Sequence, residues 1–258
     1  MNTPKKSKVC VVMPTYNNAG TVLYVVQRVL AVGKHVIVVN DGSTDDTDEV
    51  LKEVADQITI VRYKRNRGKG YALKKGFQKA RELGYKYAIT IDSDGQHYPE
   101  DIPLFIQAAK KNPGAMIIGS RDLKHENMPE KNTFANKFSN FWFIVQTGVN
   151  LPDTQTGYRM YPLKRLPNMW LVTNRYESEL ELLVFSAWRG VKLVPIDINV
   201  FYPDEEQRVT HFRPFWDFFR ISVLNTFLTF GAIFYYWPKR IIKFFRWVFT
   251  ELKDDLNV

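Results

Sequence analysis

The sequence predicts an α/β fold built on a mainly parallel, doubly wound sheet, and three observations carry that prediction. Short, uninterrupted apolar runs alternate with amphipathic stretches of helical length. Polar or charged residues follow each apolar run, so they collect on one rim of any parallel sheet. The composition (258 residues, 45% hydrophobic, 24% charged) is that of a folded globular chain rather than a disordered one. Strands apolar on both faces need helices on both sides, and right-handed βαβ crossovers supply them.

Residues 1–8 form a basic tail, and the apolar run behind it is too short for a signal-peptide core, which predicts a cytoplasmic protein. Residues 9–13 predict the first strand and 21–32 an apolar-faced helix closed by Gly33. The run 35–40 predicts the second strand. Ser43 or Thr44 then caps a helix reaching residue 55, with Asp45, Asp46 and Asp48 in a first turn where the helix dipole favours them. Residues 58–62 predict a third strand, 70–83 a helix ending at Gly84, and 87–91 a fourth strand. A helix over 101–111 and a fifth strand over 116–119 complete the series. Further on, Tyr176 opens a helix that sets Glu177 and Glu181 four apart on one face.

The C-terminal part differs. No charged side chain occurs from residue 221 to 237, enough for a helix of about 25 Å, slightly short of the ~30 Å hydrocarbon core. Phe215, Trp216, Phe218 and Phe219 precede it, and Lys239, Arg240, Lys243 and Arg246 follow it. A charge-free helix without an exposed polar side must be buried in protein, in lipid or in a partner chain; the catalytic sheet has its own helices and the basic residues beside it favour lipid headgroups. The expected organisation is therefore a tail over 1–8, a catalytic domain over 9–215 and membrane-associating helices over 216–258.

Charge and cysteine content narrow the function. Lys+Arg 36 against Asp+Glu 27 gives a net charge of +9, which points to an anionic partner: nucleic acid, a phosphorylated substrate or an acidic lipid surface. The single Cys10 excludes an intramolecular disulfide framework and a multi-cysteine zinc site.

In open α/β sheets ligands bind at the carboxyl ends of the strands. The segments expected there are Pro14-Thr-Tyr-Asn17, Asp41-Gly-Ser-Thr44, Asn66-Arg-Gly-Lys-Gly70, Asp92-Ser-Asp-Gly-Gln-His97 and Ser120-Arg121. Asp92 and Asp94, on a loop leaving a buried strand, can share Mg²⁺ or Mn²⁺, with Gln96 or His97 adding a ligand and diphosphate oxygens filling the remaining positions. An isolated acidic turn is the ordinary reading of such a pair, and the neighbouring rim motifs reverse it. Asn66-Arg-Gly-Lys-Gly70 lacks Walker spacing, yet its glycines let the backbone approach a nucleotide. Tyr16 can stack on a base or pack in the core. Asp41 can accept from a base or ribose, and Arg121 can neutralise phosphate or form an ion pair.

Taken together, these motifs resemble glycosyltransferase family 2, of the GT-A (Rossmann-like nucleotide-diphospho-sugar transferase) fold, across roughly residues 9–215. Asp92-Ser-Asp-Gly-Gln96, Gly119-Ser-Arg121 and Asp153-Thr-Gln-Thr-Gly-Tyr-Arg159 look most like the dolichol-phosphate mannose synthase and polyprenyl-phosphate glycosyltransferase group. The resemblance implies a nucleotide-sugar donor, Mg²⁺ or Mn²⁺, and inversion at the anomeric carbon. It implies that Pro14, Tyr16, Asn17 and Asp41 hold the nucleoside, with Gly68, Lys69, Asp92 and Ser93 also on the nucleotide. Asp92, Asp94 and Gln96 would ligate metal, and Arg121 and Arg159 would lie near acceptor or diphosphate. The sequence departs from the family pattern at Asn40 and Asn18, where the family usually has aspartate and glutamate, and at His211-Phe-Arg-Pro214.

A hydroxyl acceptor needs a general base, for which Asp153 and Glu177 are the candidates, while a phosphate acceptor is already ionised. The expected enzyme is thus an inverting, metal-dependent hexosyltransferase. It uses a UDP- or GDP-sugar and a lipid-linked acceptor such as polyprenyl phosphate at the cytoplasmic membrane face. The same fold acting on a glycan or glycolipid hydroxyl is the alternative. A basic nucleic-acid-binding protein is the competing class, disfavoured because the aromatic residues crowd the C-terminal stretch rather than a basic groove.

Overall fold

A computed structural model describes residues 8–121, 130–166, 173–201 and 214–256. The basic tail, apart from its last residue, and His211–Arg213 of the divergent loop lie outside the described residues. In chain order the elements are β1 (Val9–Thr15), α1 (Ala19–Ala31), β2 (Val36–Asn40), α2 (Thr47–Val50), β3 (Thr59–Arg62), α3 (Lys69–Glu82) and β4 (Tyr87–Thr90). They continue with α4 (Ile102–Lys111), β5 (Met116–Arg121), α5 (Glu130–Thr147), β6 (Arg159–Pro162), α6 (Glu177–Trp188) and β7 (Leu193–Ile198). Last come α7 (Pro214–Gly231), a π-helical turn (Ala232–Tyr236) and α8 (Trp237–Leu256).

The seven strands form one sheet in the order β3-β2-β1-β4-β6-β5-β7. All neighbours are parallel except β6, which runs antiparallel to both β4 and β5. The sheet is therefore mixed, a refinement of the mainly parallel expectation. Alternate residues of each strand feed two cores. Cys10, Val12, Ile37, Val39, Ala88 and Ile118 pack under α3 and α6. Val11, Met13, Val36, Val38, Ile89 and Ile117 pack under α1 and α4. Period-two alternation with both faces apolar is what a doubly covered sheet requires. Burial pushes the Cys10 thiol up to about 12, leaving it a small core hydrophobe.

One expected element changes. The helix predicted from Ser43 or Thr44 to residue 55 is only α2 followed by a 3₁₀ turn, Leu51–Val54, and neither hydroxyl caps it. Ser43 Oγ instead accepts from the Asn17 amide at 2.9 Å, and the Thr44 amide donates to Asn17 Oδ1 at 2.8 Å. The β1 loop has claimed the groups that a longer helix needed.

The C-terminal helices dock on the domain along one side. Leu228 and Ala232 are buried, and Ile221 and Leu224 pack against the same core as α6. Gln146 of α5 donates to Asn225 Oδ1 at 3.0 Å, Trp188 stacks on Tyr236 at 5.6 Å, and Trp237 Nε1 donates to the Val145 carbonyl at 3.0 Å. The other side carries exposed aromatic residues, with Phe227 at 70% and Phe234 at 74% exposure.

Candidate active site

The loops leaving β1, β2 and β4, together with the N-termini of α3 and α6, converge on one rim. Gly68 starts α3 with φ +96°, and a Cβ there would lie 2.6 Å from the Asn174 carbonyl, so only glycine fits. That turn aims Lys69 inward. Its Nζ lies 2.7 Å from Asp92 Oδ1 and 3.1 Å from Glu179 Oε2. A Cβ on Gly157 would approach Asp92, Lys69 and Glu179 at 2.9, 2.9 and 3.1 Å, so the chain before β6 closes over this cluster. Burial would lower the Lys69 pKa, but Asp92 and Glu179 outweigh it and hold the ammonium protonated. Burial likewise opposes ionisation of Asp92, and Lys69 overrides it to leave the carboxyl below its usual range.

Asp94 behaves oppositely. Burial, and then repulsion from Asp92, push its carboxyl up to about 6 although the Gln96 amide donates to Oδ1 at 3.0 Å. His97 is buried with neither ring nitrogen hydrogen-bonded among the described residues, and burial drops its pKa to about 4, so the imidazole is neutral. Among the described residues no three His, Cys, Asp or Glu side chains gather into a metal cage. The donor set still fits a hard divalent cation sharing its coordination with a substrate. Asp92 and Asp94 are carboxylates that repel one another, which is the condition a cation relieves, and Gln96 stands beside them.

The other expected site residues divide by position. Asp41 is buried and accepts from the Arg67 and Gly68 amides, both at 2.7 Å, so it shapes the α3 approach loop. Burial raises its pKa against those bonds. Pro14 lies within β1, and Tyr16 is half-buried just beyond it. Asn17 has φ +50° and braces the β2 loop. Ser93 is buried, accepting from Asn18 Nδ2 at 2.8 Å and donating to Thr15 at 3.1 Å, so its side chain ties two loops together. The divergent Asn40 and Asn18 both work inside this scaffold: Asn40 Oδ1 accepts from the Ser43 amide and Asn18 holds Ser93.

Two further expectations are corrected. Arg159 is fully buried, donating to the Glu179 and Thr154 carbonyls at 2.8 Å each, so both hydrogen-bonding nitrogens clamp the chain before β6 to α6. Asp153, a candidate base, is fully buried and saturated. Arg121 Nε and Nη2 donate to it at 2.6 and 3.1 Å, Asn136 at 2.7 Å and the Gln155 amide at 2.9 Å. Burial opposes its ionisation, yet Arg121 and these donors hold it below the usual carboxylate range, which makes it an anchor for Arg121 rather than a base. Glu177 is buried at the start of α6, and its Oε2 lacks a hydrogen-bond partner among the described residues. Glu179 and Asn136 were not anticipated. The spacing of Glu177, Glu179 and Glu181 was visible, but helical periodicity drew attention to the outer two.

The sequence profile of Glycosyl transferase family 2 matches residues 10–165, which contain the β4 loop and the Lys69 turn. The chain belongs to glycosyltransferase family 2. Among its relatives, UDP-N-acetylglucosamine–dolichyl-phosphate N-acetylglucosaminyltransferase of Methanococcus voltae is 27% identical over 214 residues, covering 75% of this chain and 85% of the relative. Polyprenol monophosphomannose synthase of Mycolicibacterium smegmatis is 30% identical over 202 residues, covering 73% and 76%. Glucosyl-3-phosphoglycerate synthase of Mycobacterium tuberculosis, solved with Mn²⁺, UDP and glucosyl-3-phosphoglycerate, superposes with a TM-score of 0.62 at 17% identity, covering 87% of this chain and 79% of that one. The likeness establishes the GT-A fold for this family 2 glycosyltransferase.

Proposed function

We propose that this enzyme transfers a sugar, with inversion, from a UDP- or GDP-sugar to polyprenyl phosphate at the cytoplasmic face of the membrane. The observation that carries the choice of acceptor is the saturation of Asp153 by Arg121, Asn136 and two backbone amides. A phosphate acceptor needs no base, and an anchored guanidinium at the end of β5 suits it. The named substrates of the M. voltae and M. smegmatis relatives support the same class.

In this reading Asp92, Asp94 and Gln96 hold Mg²⁺ or Mn²⁺, which supplies positive charge to the departing diphosphate. Lys69 holds Asp92 in place and adds a fixed cation beside it. The loop braced by Asp41, which takes the Arg67 and Gly68 amides, sets Lys69 beside the diphosphate position, with Pro14, Tyr16 and Asn17 on the nucleoside side. Arg121 orients the acceptor anion.

A glycan or glycolipid hydroxyl is the second reading, favoured by Glu177 Oε2, which is buried without a hydrogen-bond partner among the described residues. UDP- and GDP-sugars are tested for turnover with polyprenyl phosphate and with glycolipid, with and without Mn²⁺, in wild type and Glu177→Gln. Transfer to polyprenyl phosphate that survives Glu177→Gln supports the proposal. A loss of about 10²-fold or more, with a hydroxyl acceptor preferred, supports a base and the second reading.

A further inference from the structure

The helical run Phe215–Trp247 is 33 residues long and apolar enough to cross a bilayer by length and composition. At the helical rise it measures about 50 Å, against a hydrocarbon core of about 30 Å. Its packing argues against crossing. Along α7 one stripe faces the enzyme: Asp217 and Leu228 are buried, Ile221 and Leu224 pack on the α6 core, and Asn225 and Thr229 take hydrogen bonds from Gln146. Inserting α7 across lipid would drag α5 and α6 with it. Those helices carry Asn136, Ser139 and Asn140 on one side and Glu177, Glu179 and Glu181 on the other, none of which hydrocarbon accepts.

The opposite stripe of α7 holds Phe219, Val223, Phe227, Phe230 and, one turn on, Phe234, all exposed. In α8 the pattern becomes amphipathic. At about 100° per residue, Ile241, Phe244 and Phe245 share one side while Lys239, Lys243 and Arg246 share the other. Four basic residues between 239 and 246 keep α8 itself out of the hydrocarbon and place it at headgroup depth. From residue 218 to 250 the chain carries Arg220, Lys239, Arg240, Lys243 and Arg246, and no acidic residue. That one-signed charge beside an exposed aromatic stripe is complementary to an anionic headgroup layer.

We infer that α7 and α8 lie in the plane of an anionic lipid surface, aromatic side down, without crossing it. The inference rests on the membrane part of the proposed function and specifies its geometry. It also explains why α7 keeps its polar contacts with α5: the enzyme is anchored by one side of a helix whose other side belongs to its own core.

The full chain is floated with vesicles of phosphatidylcholine alone and of phosphatidylcholine with about one third phosphatidylglycerol. Expected are flotation with the anionic vesicles only, weakening with salt, and release by alkaline carbonate. Lys239→Gln combined with Lys243→Gln weakens partitioning about thirty-fold, since each basic residue near the surface contributes roughly equally. Flotation indifferent to lipid charge and salt, resisting carbonate, overturns the inference in favour of a spanning helix. No flotation with either vesicle overturns it as well, and a concentration-dependent dimer in sedimentation then identifies a second copy on the aromatic face. Sugar transfer to detergent-solubilised short-chain polyprenyl phosphate, measured alongside, reads the acceptor independently of how the enzyme meets the bilayer.

Discussion

Lys69 Nζ stands 2.7 Å from Asp92 Oδ1 and is held from its other side by Glu179, so the carboxylate that opens the Asp-Ser-Asp segment carries its own internal cation. The β4 loop, α3 and α6 meet at this ammonium. Asp92 therefore has a counter-charge in contact, while Asp94 faces the like charge of Asp92.

Removing the cation exposes that balance. Lys69→Met leaves buried Glu179 and half-buried Asp92 without a counter-charge, and the cost should be about 2–3 kcal/mol, below that of breaking a fully buried pair. Urea titration reads this loss. Glu179→Gln keeps the Lys69–Asp92 contact and should be milder, raising the donor KM more than it lowers kcat. A Lys69→Met enzyme as stable and active as wild type would show the ammonium to be a bystander.

Asp94 gives the pH dependence. Its carboxyl stands at about 6 when folded against a model value of 3.8, so the folded chain binds this proton more tightly. Its contribution to stability is fully present below the unfolded pKa and is lost as pH rises through the folded one. In metal-free protein, denaturant midpoints should thus fall between about pH 4 and pH 6 through this group. Asp94→Asn should remove that dependence, leave neutral-pH stability unchanged or higher, and cut turnover by orders of magnitude because a hard anionic ligand is gone. An active Asp94→Asn enzyme, or a wild type indifferent to EDTA, contradicts the metal-dependent reading.

Asn136 acts through Arg121. Asn136→Ala removes the 2.7 Å bond to Asp153 and loosens the carboxylate that anchors the guanidinium. The acceptor KM should rise by about tenfold while donor affinity by calorimetry stays constant, the cost of roughly one hydrogen bond to a charged group. Equal losses toward donor and acceptor would mean a general loosening of the site.

Much of this protein was determined by the sequence alone. The alternation of strand and helix, the two-faced apolar strands, the rim motifs and the family follow from local pattern, because hydrophobic period and turn chemistry act over a few residues. Even the aromatic, basic character of the C-terminal helices was plain. How long-range partners share out the polar groups emerges only once the chain is folded. Ser43 and Thr44 look like helix caps until Asn17 takes them. Arg159 and Asp153 look like groups with free hydrogen-bonding capacity until Thr154, Glu179 and Arg121 engage them. Glu179 is one acid among three until Lys69, more than a hundred residues earlier, reaches it. The antiparallel β6 and the docking of α7 on α5 are of the same kind. A buried polar group must find a partner wherever the fold supplies one, and no local pattern records which segments the sheet will bring together.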